Sequence, residues 1–325
     1  MSQPFEGLPT TPTADELLDQ AFSRAARAGR AKSGIEAQQS MLLTAANVLS
    51  DNLEHVVTAW PDIENLDPFY RDLADAVAGV DDLRQHLNEV GWAGRKAGEI
   101  RREYEGRFED PETARKLRKQ AFARMADVVE EVDDDLAALA EARQQLRDLP
   151  EVDPDEPTVV VAGYPNVGKS TFVNRVTRAD NETDSYPFTT TQIHVGHLER
   201  DHIRYQLVDT PGLLDRPAAE RNAIESQAVS ALTHAADAVL VFVDPTGECG
   251  YPLSVQWDLQ ADIAARFDVP VLTVATMRDK LDTDLDDDRV DYHVSVTEGD
   301  GVSGVLDAAI EAVGYEPDFP FESGD

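Results

Sequence analysis

The stretch VVVAGYPNVGKSTFVNRV, residues 159–176, constrains this 325-residue chain more than any other. An apolar run ends at Gly163. Lys169 and Ser170 then open a segment whose apolar residues return at helical spacing. Between the two lies the pattern G-x-x-x-x-G-K-[ST]. Gly163 and Gly168 let the backbone curl so that successive N–H groups point inward at a phosphate. Pro165, Asn166, Val167 and the following Thr171 complete the curl. Lys169 brings a compact positive charge to the β- and γ-phosphates of a nucleotide, and the Ser170 hydroxyl is placed to ligate Mg²⁺. The N-terminus of the next helix adds its own attraction for anions. The bland alternative is a glycine-rich turn with an exposed lysine. The strand before and the helix after argue against it, and they require an α/β fold.

The rest of the chain divides around a break. PEVDPDEP (150–157) holds three prolines and four acids in eight residues and cannot continue a helix. Before it the apolar positions recur at helical spacing. Thr13 is placed to cap a first helix, with Glu16 completing a capping box and Leu17, Leu18, Ala21, Phe22 and Ala25 on one face. Further helices are expected over 35–60, over 67–100 with a break near Gly79, and over 111–149 as one long helix or two end to end. After the break the period shifts. TVVVAGY, IRYQLVD, VLVFVD and PVLTVAT read as strands alternating with helices, the pattern of a doubly wound, mainly parallel sheet. The expected organisation is an all-α helical domain over 1–150 and a P-loop domain over 151–325.

The formal net charge is −34. A phosphate loop tolerates this because bulk acid repels weakly through screened solvent, whereas a few donors within hydrogen-bond reach act directly. The acid is spread along the chain, and its apolar periodicity argues against disorder. Adaptation to molar salt, where screening acts within about 3 Å, is the favoured reading. Residues 1–150 hold 18 basic and 29 acidic residues, the remainder 11 and 34. The helical half is thus the less acidic. Its cations cluster at Arg24/Arg27/Arg30/Lys32, Arg95/Lys96/Arg101/Arg102 and Arg115/Lys116/Arg118/Lys119. They form either a solvated helix face or a phosphate-contacting surface for RNA. No apolar run is long enough to suggest a membrane span, and the N-terminus lacks a secretory pattern. A single cysteine, Cys249, fits a reducing cytoplasm.

Two further motifs follow the phosphate loop. LVDTPG (207–212) ends an apolar strand, and DSYPFTTTQIHVGH (184–197) lies between it and the loop. Together with FEGLPTTPTADELLDQAFSRA (5–25), DPFYRDL (67–73) and DTPGLLDR, these stretches resemble the nucleolar GTP-binding protein 1 family, in the Obg-like branch of GTPases, as an archaeal member. The resemblance implies a helical N-terminal domain, GTP binding and hydrolysis with Mg²⁺, and a role in assembling the large ribosomal subunit, with its precursor and rRNA as partners and no membrane. It implies that Asp209 holds Mg²⁺ through water and that the Gly212 N–H senses the γ-phosphate. It also implies that Thr190, six residues before Gly196, closes over the γ-phosphate and completes the Mg²⁺ shell. The competing reading is that the threonines are simply strand formers.

The sequence departs from the GTPase pattern in two places. The base-reading N-K-x-D is replaced by Thr276, Met277, Arg278 and Asp279. Asp279 is then the preferred partner of guanine N1 and its exocyclic amine; a three-residue shift would give that role to Asp282. Ser295 resembles the last GTPase motif, or is an ordinary strand-end serine. At the position where Ras-like enzymes carry a water-orienting Gln stands Leu213, so slow hydrolysis is expected. Asn166 matches the Asn that coordinates K⁺ in cation-dependent GTPases, or only shapes the loop. The sequence does not place Arg216, which is a candidate to act in cis. His194, His197 and His202 lack the spacing of a zinc site. The expected function is a slow, cation-assisted GTP switch in which Lys169, Thr190 and Asn166 act on the reacting phosphate. A nucleotide-sensing, ribosome-binding module with negligible turnover is the alternative, and an ATP-using enzyme a weaker third.

Overall fold

The computed structural model describes residues 3–177, 182–185, 192–217 and 220–315. Packing divides the chain into two compact units. One comprises Pro4–Asn65 and Ala78–Arg147; the other comprises Leu66–Val77 and the described residues from Asp148 onward, with Gln3.

The first unit is helical. Its helices are α1 (Ala14–Arg30), α2 (Gly34–Thr58), α4 (Val80–Glu105), α5 (Pro111–Glu131) and α6 (Asp133–Arg147), with α3 (Pro68–Ala78) intervening in sequence. The capping box at Thr13 is formed in both directions: the Glu16 N–H donates to Thr13 Oγ1 and the Thr13 N–H to Glu16 Oε2. Gly79 breaks the 67–100 segment with φ 66°, a left-handed value that costs glycine nothing. The 111–149 segment is two helices with Val132 between them. Leu42, Ala45, Ala46, Leu49, Leu53 and Val56 give α2 its buried stripe. Against that stripe α4 comes close enough for Ser50 Oγ to donate to the Gly94 carbonyl at 2.6 Å.

The second unit is built on seven strands. These are β1 (Thr158–Ala162), β2 (Glu182–Ser185), β3 (Gln192–Arg200), β4 (Ile203–Asp209), β5 (Ala238–Val243), β6 (Val271–Ala275) and β7 (Tyr292–His293), in the order β2-β3-β4-β1-β5-β6-β7. The pairings from β4 across to β7 are parallel; β2 and β3 run antiparallel at one edge. Helices α7 (Lys169–Val176), α8 (Ala223–Ala235), α9 (Leu253–Arg266) and α10 (Val302–Val313) alternate with the strands. This is a doubly wound, mainly parallel α/β fold, and β1 and β5 are buried along their whole length, as central strands covered on both faces are. The helix α3 belongs with this unit rather than with the helices that flank it in sequence. Tyr70 Oη donates to the Val152 carbonyl at 2.8 Å, and the Asp72 carboxylate receives Ser230 Oγ and lies 3.3 Å from His234 of α8. Sheet order decides where the site lies. Because β1 is flanked by β4 and β5 with Val161 opposite Asp209, the loops leaving the carboxyl ends of these strands emerge side by side.

Candidate nucleotide-binding site

The phosphate loop runs from the end of β1 to the first turn of α7. Gly163 has φ 131°, and a Cβ there would stand 2.4 Å from the Phe242 carbonyl oxygen of β5, so only glycine lets the loop leave the sheet here. Gly168 precedes α7 with φ 102°. Asn166, exposed at the loop crest, is left-handed at φ 64°, a conformation asparagine adopts more readily than most residues. Tyr164 and Val167 are buried beneath the curl, while Pro165 is half-buried and Thr171 exposed. The ring of Tyr164 stacks on that of Tyr251 with centroids 4.3 Å apart, fastening the loop to the segment after β5.

Inside the curl, the Lys169 ammonium is buried and donates to the carbonyls of Gly163 at 2.7 Å and Tyr164 at 2.9 Å. Burial holds its pKa below the usual lysine range, against the opposing pull of Asp209 and Asp215. At the next residue, Ser170 Oγ donates to Asp209 Oδ2 at 2.5 Å. Asp209 is 1% exposed. Burial raises its carboxyl above the ordinary aspartate range, although the Ser170 hydroxyl and the Lys169 charge act in the other direction. Its second oxygen, Oδ1, is buried without a hydrogen-bond partner among the described residues. A hydroxyl oxygen and a carboxylate with an unsatisfied buried oxygen form the donor set that a small, hard, oxygen-seeking cation requires. Ser170 and Asp209 therefore fit Mg²⁺.

Gly212, three residues past Asp209, has φ 82°, and its N–H donates to Asp215 Oδ2 at 2.7 Å. The intervening Leu213 and Leu214 are buried, and the Leu214 carbonyl accepts the Gly163 N–H at 2.9 Å. Leu213 thus faces the core, not the phosphates. The Arg216 guanidinium donates to the Gly212 carbonyl and to Glu225 Oε1, both at 2.8 Å, and so ties this segment to the first turn of α8.

On the far side of the phosphate loop, Thr276 follows β6 directly and donates through N–H and Oγ1 to the Val243 carbonyl. Met277 is left-handed at φ 57°. Asp279 lies in a single 3₁₀ turn (Arg278–Lys280), and both Asp279 and Asp282 are exposed. Ser295 is buried in the turn after β7; it donates its N–H to the Asp300 carbonyl, and its Oγ accepts the Glu298 N–H. Two arginines join these parts. Arg278 donates through its N–H to the Val294 carbonyl and through its guanidinium to Asp284 and Asp300. Arg175 of α7 donates to the carbonyls of Val296 and Thr297, both at 3.0 Å. The phosphate helix, the Ser295 turn and the Asp279 loop are therefore one connected piece.

The structure thus gathers Gly163, Lys169, Ser170, Asp209 and Gly212 around one curl and sets Asp279 and Ser295 on two adjoining loops. Thr190 lies outside the described residues. His194 sits opposite Asp209 in the β3–β4 ladder, His197 is 3.9 Å from Glu156, and His202 is exposed in the turn between the same strands. Reading by motif passed over Arg175, Arg278 and Asp215. Two of these act through partners more than 20 positions away, which motif spacing does not register.

Residues 5–153 match the NOG1 N-terminal helical domain, and residues 158–277 match a domain described as a 50S ribosome-binding GTPase. An uncharacterised protein of Methanocaldococcus jannaschii is 36% identical over 293 residues, which cover 86% of this chain and 82% of that protein. Nucleolar GTP-binding protein 1 of Eremothecium gossypii is 32% identical over 316 residues, covering 93% of this chain and 49% of that protein. The chain therefore spans about half the length of that nucleolar relative. A crystal structure described as a nucleolar GTP-binding protein 1 from Plasmodium falciparum is 30% identical, with a TM-score of 0.46 over 51% of this chain and 90% of that one.

Proposed function

The chain belongs to the nucleolar GTP-binding protein 1 family and carries a P-loop GTPase domain, and from that premise we propose that it is a slow GTP switch that takes part in assembling the large ribosomal subunit. The observation that carries the reading is the contact of Ser170 with Asp209, whose second oxygen is buried without a hydrogen-bond partner among the described residues. Bound Mg²⁺ would neutralise charge on the β- and γ-phosphates. Ser170 and Asp209 would hold it, Thr190 would complete its shell, and Lys169 would orient the phosphate tail. Asp279 reads the guanine edge, with the Ser295 turn beside it. Hydrolysis is slow because Leu213 offers no polar group to align water. Asn166 would hold a K⁺ ion, whose positive charge would stand in for an arginine finger.

The division of labour follows the proline break. Residues up to 150 dock on ribosomal RNA through the cation clusters of the helical part, and residues from 151 hold the nucleotide. The GTP-bound form holds the particle, and hydrolysis releases it. The setting is a salt-adapted, reducing cytoplasm, in keeping with the acidic composition and the one buried cysteine.

Single-turnover phosphate release with Mg²⁺, in KCl and in NaCl, tests the reading. Faster release in KCl is the expected outcome. The burial of Leu213 gives weight to a second reading, a ribosome-binding nucleotide sensor without turnover. Absence of cleavage in both salts, with ribosomal RNA present, would select it. Competition between GTP and ATP for the site tests the role of Asp279.

A further inference from the structure

We propose that Asp215 is the residue by which this site distinguishes a nucleoside triphosphate from a diphosphate: its carboxylate holds the Gly212 amide until a γ-phosphate displaces it. The inference rests on the nucleotide-binding reading above. Gly212 N–H is the donor that a γ-phosphate would claim, and it is already given to Asp215 Oδ2 at 2.7 Å. The acceptor is a carboxylate rather than water. An incoming phosphate therefore replaces a charge-assisted hydrogen bond and meets a like charge at the same place.

The contact is held in place on three sides. Leu213 and Leu214 on either side of the turn are buried, the Leu214 carbonyl accepts the Gly163 N–H, and Arg216 grips the Gly212 carbonyl. Asp215 itself is only half-buried. Its charge reaches Lys169, the group that the triphosphate tail also addresses. A diphosphate ends inside the curl of the phosphate loop and leaves the Asp215–Gly212 contact intact. A triphosphate must exchange it. Arg216 bonds both the Gly212 carbonyl and Glu225, so the exchange is felt at the start of α8.

The test compares Asp215→Ala and Asp215→Asn with the unaltered chain. Calorimetry with Mg²⁺ and KCl measures the affinity for GDP and for a non-hydrolysable GTP analogue. In Asp215→Ala the analogue is expected to bind about ten-fold tighter, with GDP unchanged. Asp215→Asn keeps an acceptor without the charge and falls between. A parallel shift for both nucleotides, or weaker binding of the analogue, overturns the proposal while leaving the nucleotide site standing. If the unaltered chain binds neither nucleotide, the site reading fails and the proposal fails with it. A measurement on the unaltered chain guards against variants that do not fold. The Gly212 amide resonance should keep its free-protein position with GDP and shift with the analogue, as its acceptor changes. A Gly212 amide that moves equally with both nucleotides, or with neither, overturns the proposal.

Discussion

Ser170 Oγ donates to Asp209 Oδ2 at 2.5 Å, joining the first turn of α7 to the last residue of β4 across 39 positions of sequence. The two elements meet because β4 lies beside β1 in register, so that the helix following β1 starts next to the end of β4. The contact leaves one buried carboxylate oxygen without a partner among the described residues, at a cost to the free protein.

That cost has a measurable sign. The Asp209 carboxyl is raised above its ordinary value chiefly by burial. Between about pH 3.9 and the raised value, the folded state binds more protons than the unfolded state, so this group's contribution to stability falls as pH rises through that window. Asp209→Asn resembles the protonated form. It should raise the stability of the free protein at neutral pH by about 1 kcal/mol, remove that pH slope, and abolish the Mg²⁺ dependence of nucleotide affinity. Thermal unfolding across pH, paired with calorimetry, checks all three. A less stable variant at neutral pH would contradict the assignment of burial as the dominant cause.

Leu213→Gln should not rescue turnover. Leu213 is 1% exposed, and an amide there would be buried with no partner evident. The expected result is a loss of about 1–3 kcal/mol in stability with phosphate release no faster than in the unaltered chain. A rise in single-turnover rate would mean that the side chain at this position reaches the reacting phosphate.

Arg278→Ala should loosen the base side of the site and little else. Its bonds to Asp284 and Asp300 are exposed ion pairs and contribute little to stability. They nonetheless hold the Asp279 loop against the Ser295 turn. The preference for GTP over ATP should fall several-fold while the melting temperature stays nearly constant. Competition binding and thermal denaturation on the same preparation give the comparison; an unchanged nucleotide preference counts against the arginine as an organiser.

Gly163→Ala should be far more damaging than its size suggests. The added methyl would lie 2.4 Å from the Phe242 carbonyl oxygen, at a backbone φ of 131° that alanine rarely adopts. A penalty of about 3 kcal/mol or more is expected, with nucleotide binding lost alongside. Denaturant unfolding reads the penalty; near-normal stability would show that β5 and the loop can move apart.

The sequence by itself determined the features that depend on neighbours along the chain. The capping box at Thr13, the left-handed break at Gly79, the stop at 150–157 and the curl from Gly163 to Ser170 all follow from local backbone demands. The change from helical to strand periodicity after 157 is of the same kind, because each face repeats at a period written into consecutive residues. That was enough to anticipate an α/β fold preceded by helices.

Tertiary structure decided what depends on strand order. It set Asp209 against Ser170, ran Arg175 and Arg278 to distant carbonyls and carboxylates, and packed α3 on α8 rather than among the helices next to it in sequence. A side chain's partner across a sheet is fixed by which strands are adjacent and in what register, and a one-residue slip of β4 would turn Asp209 to the other face, away from Ser170.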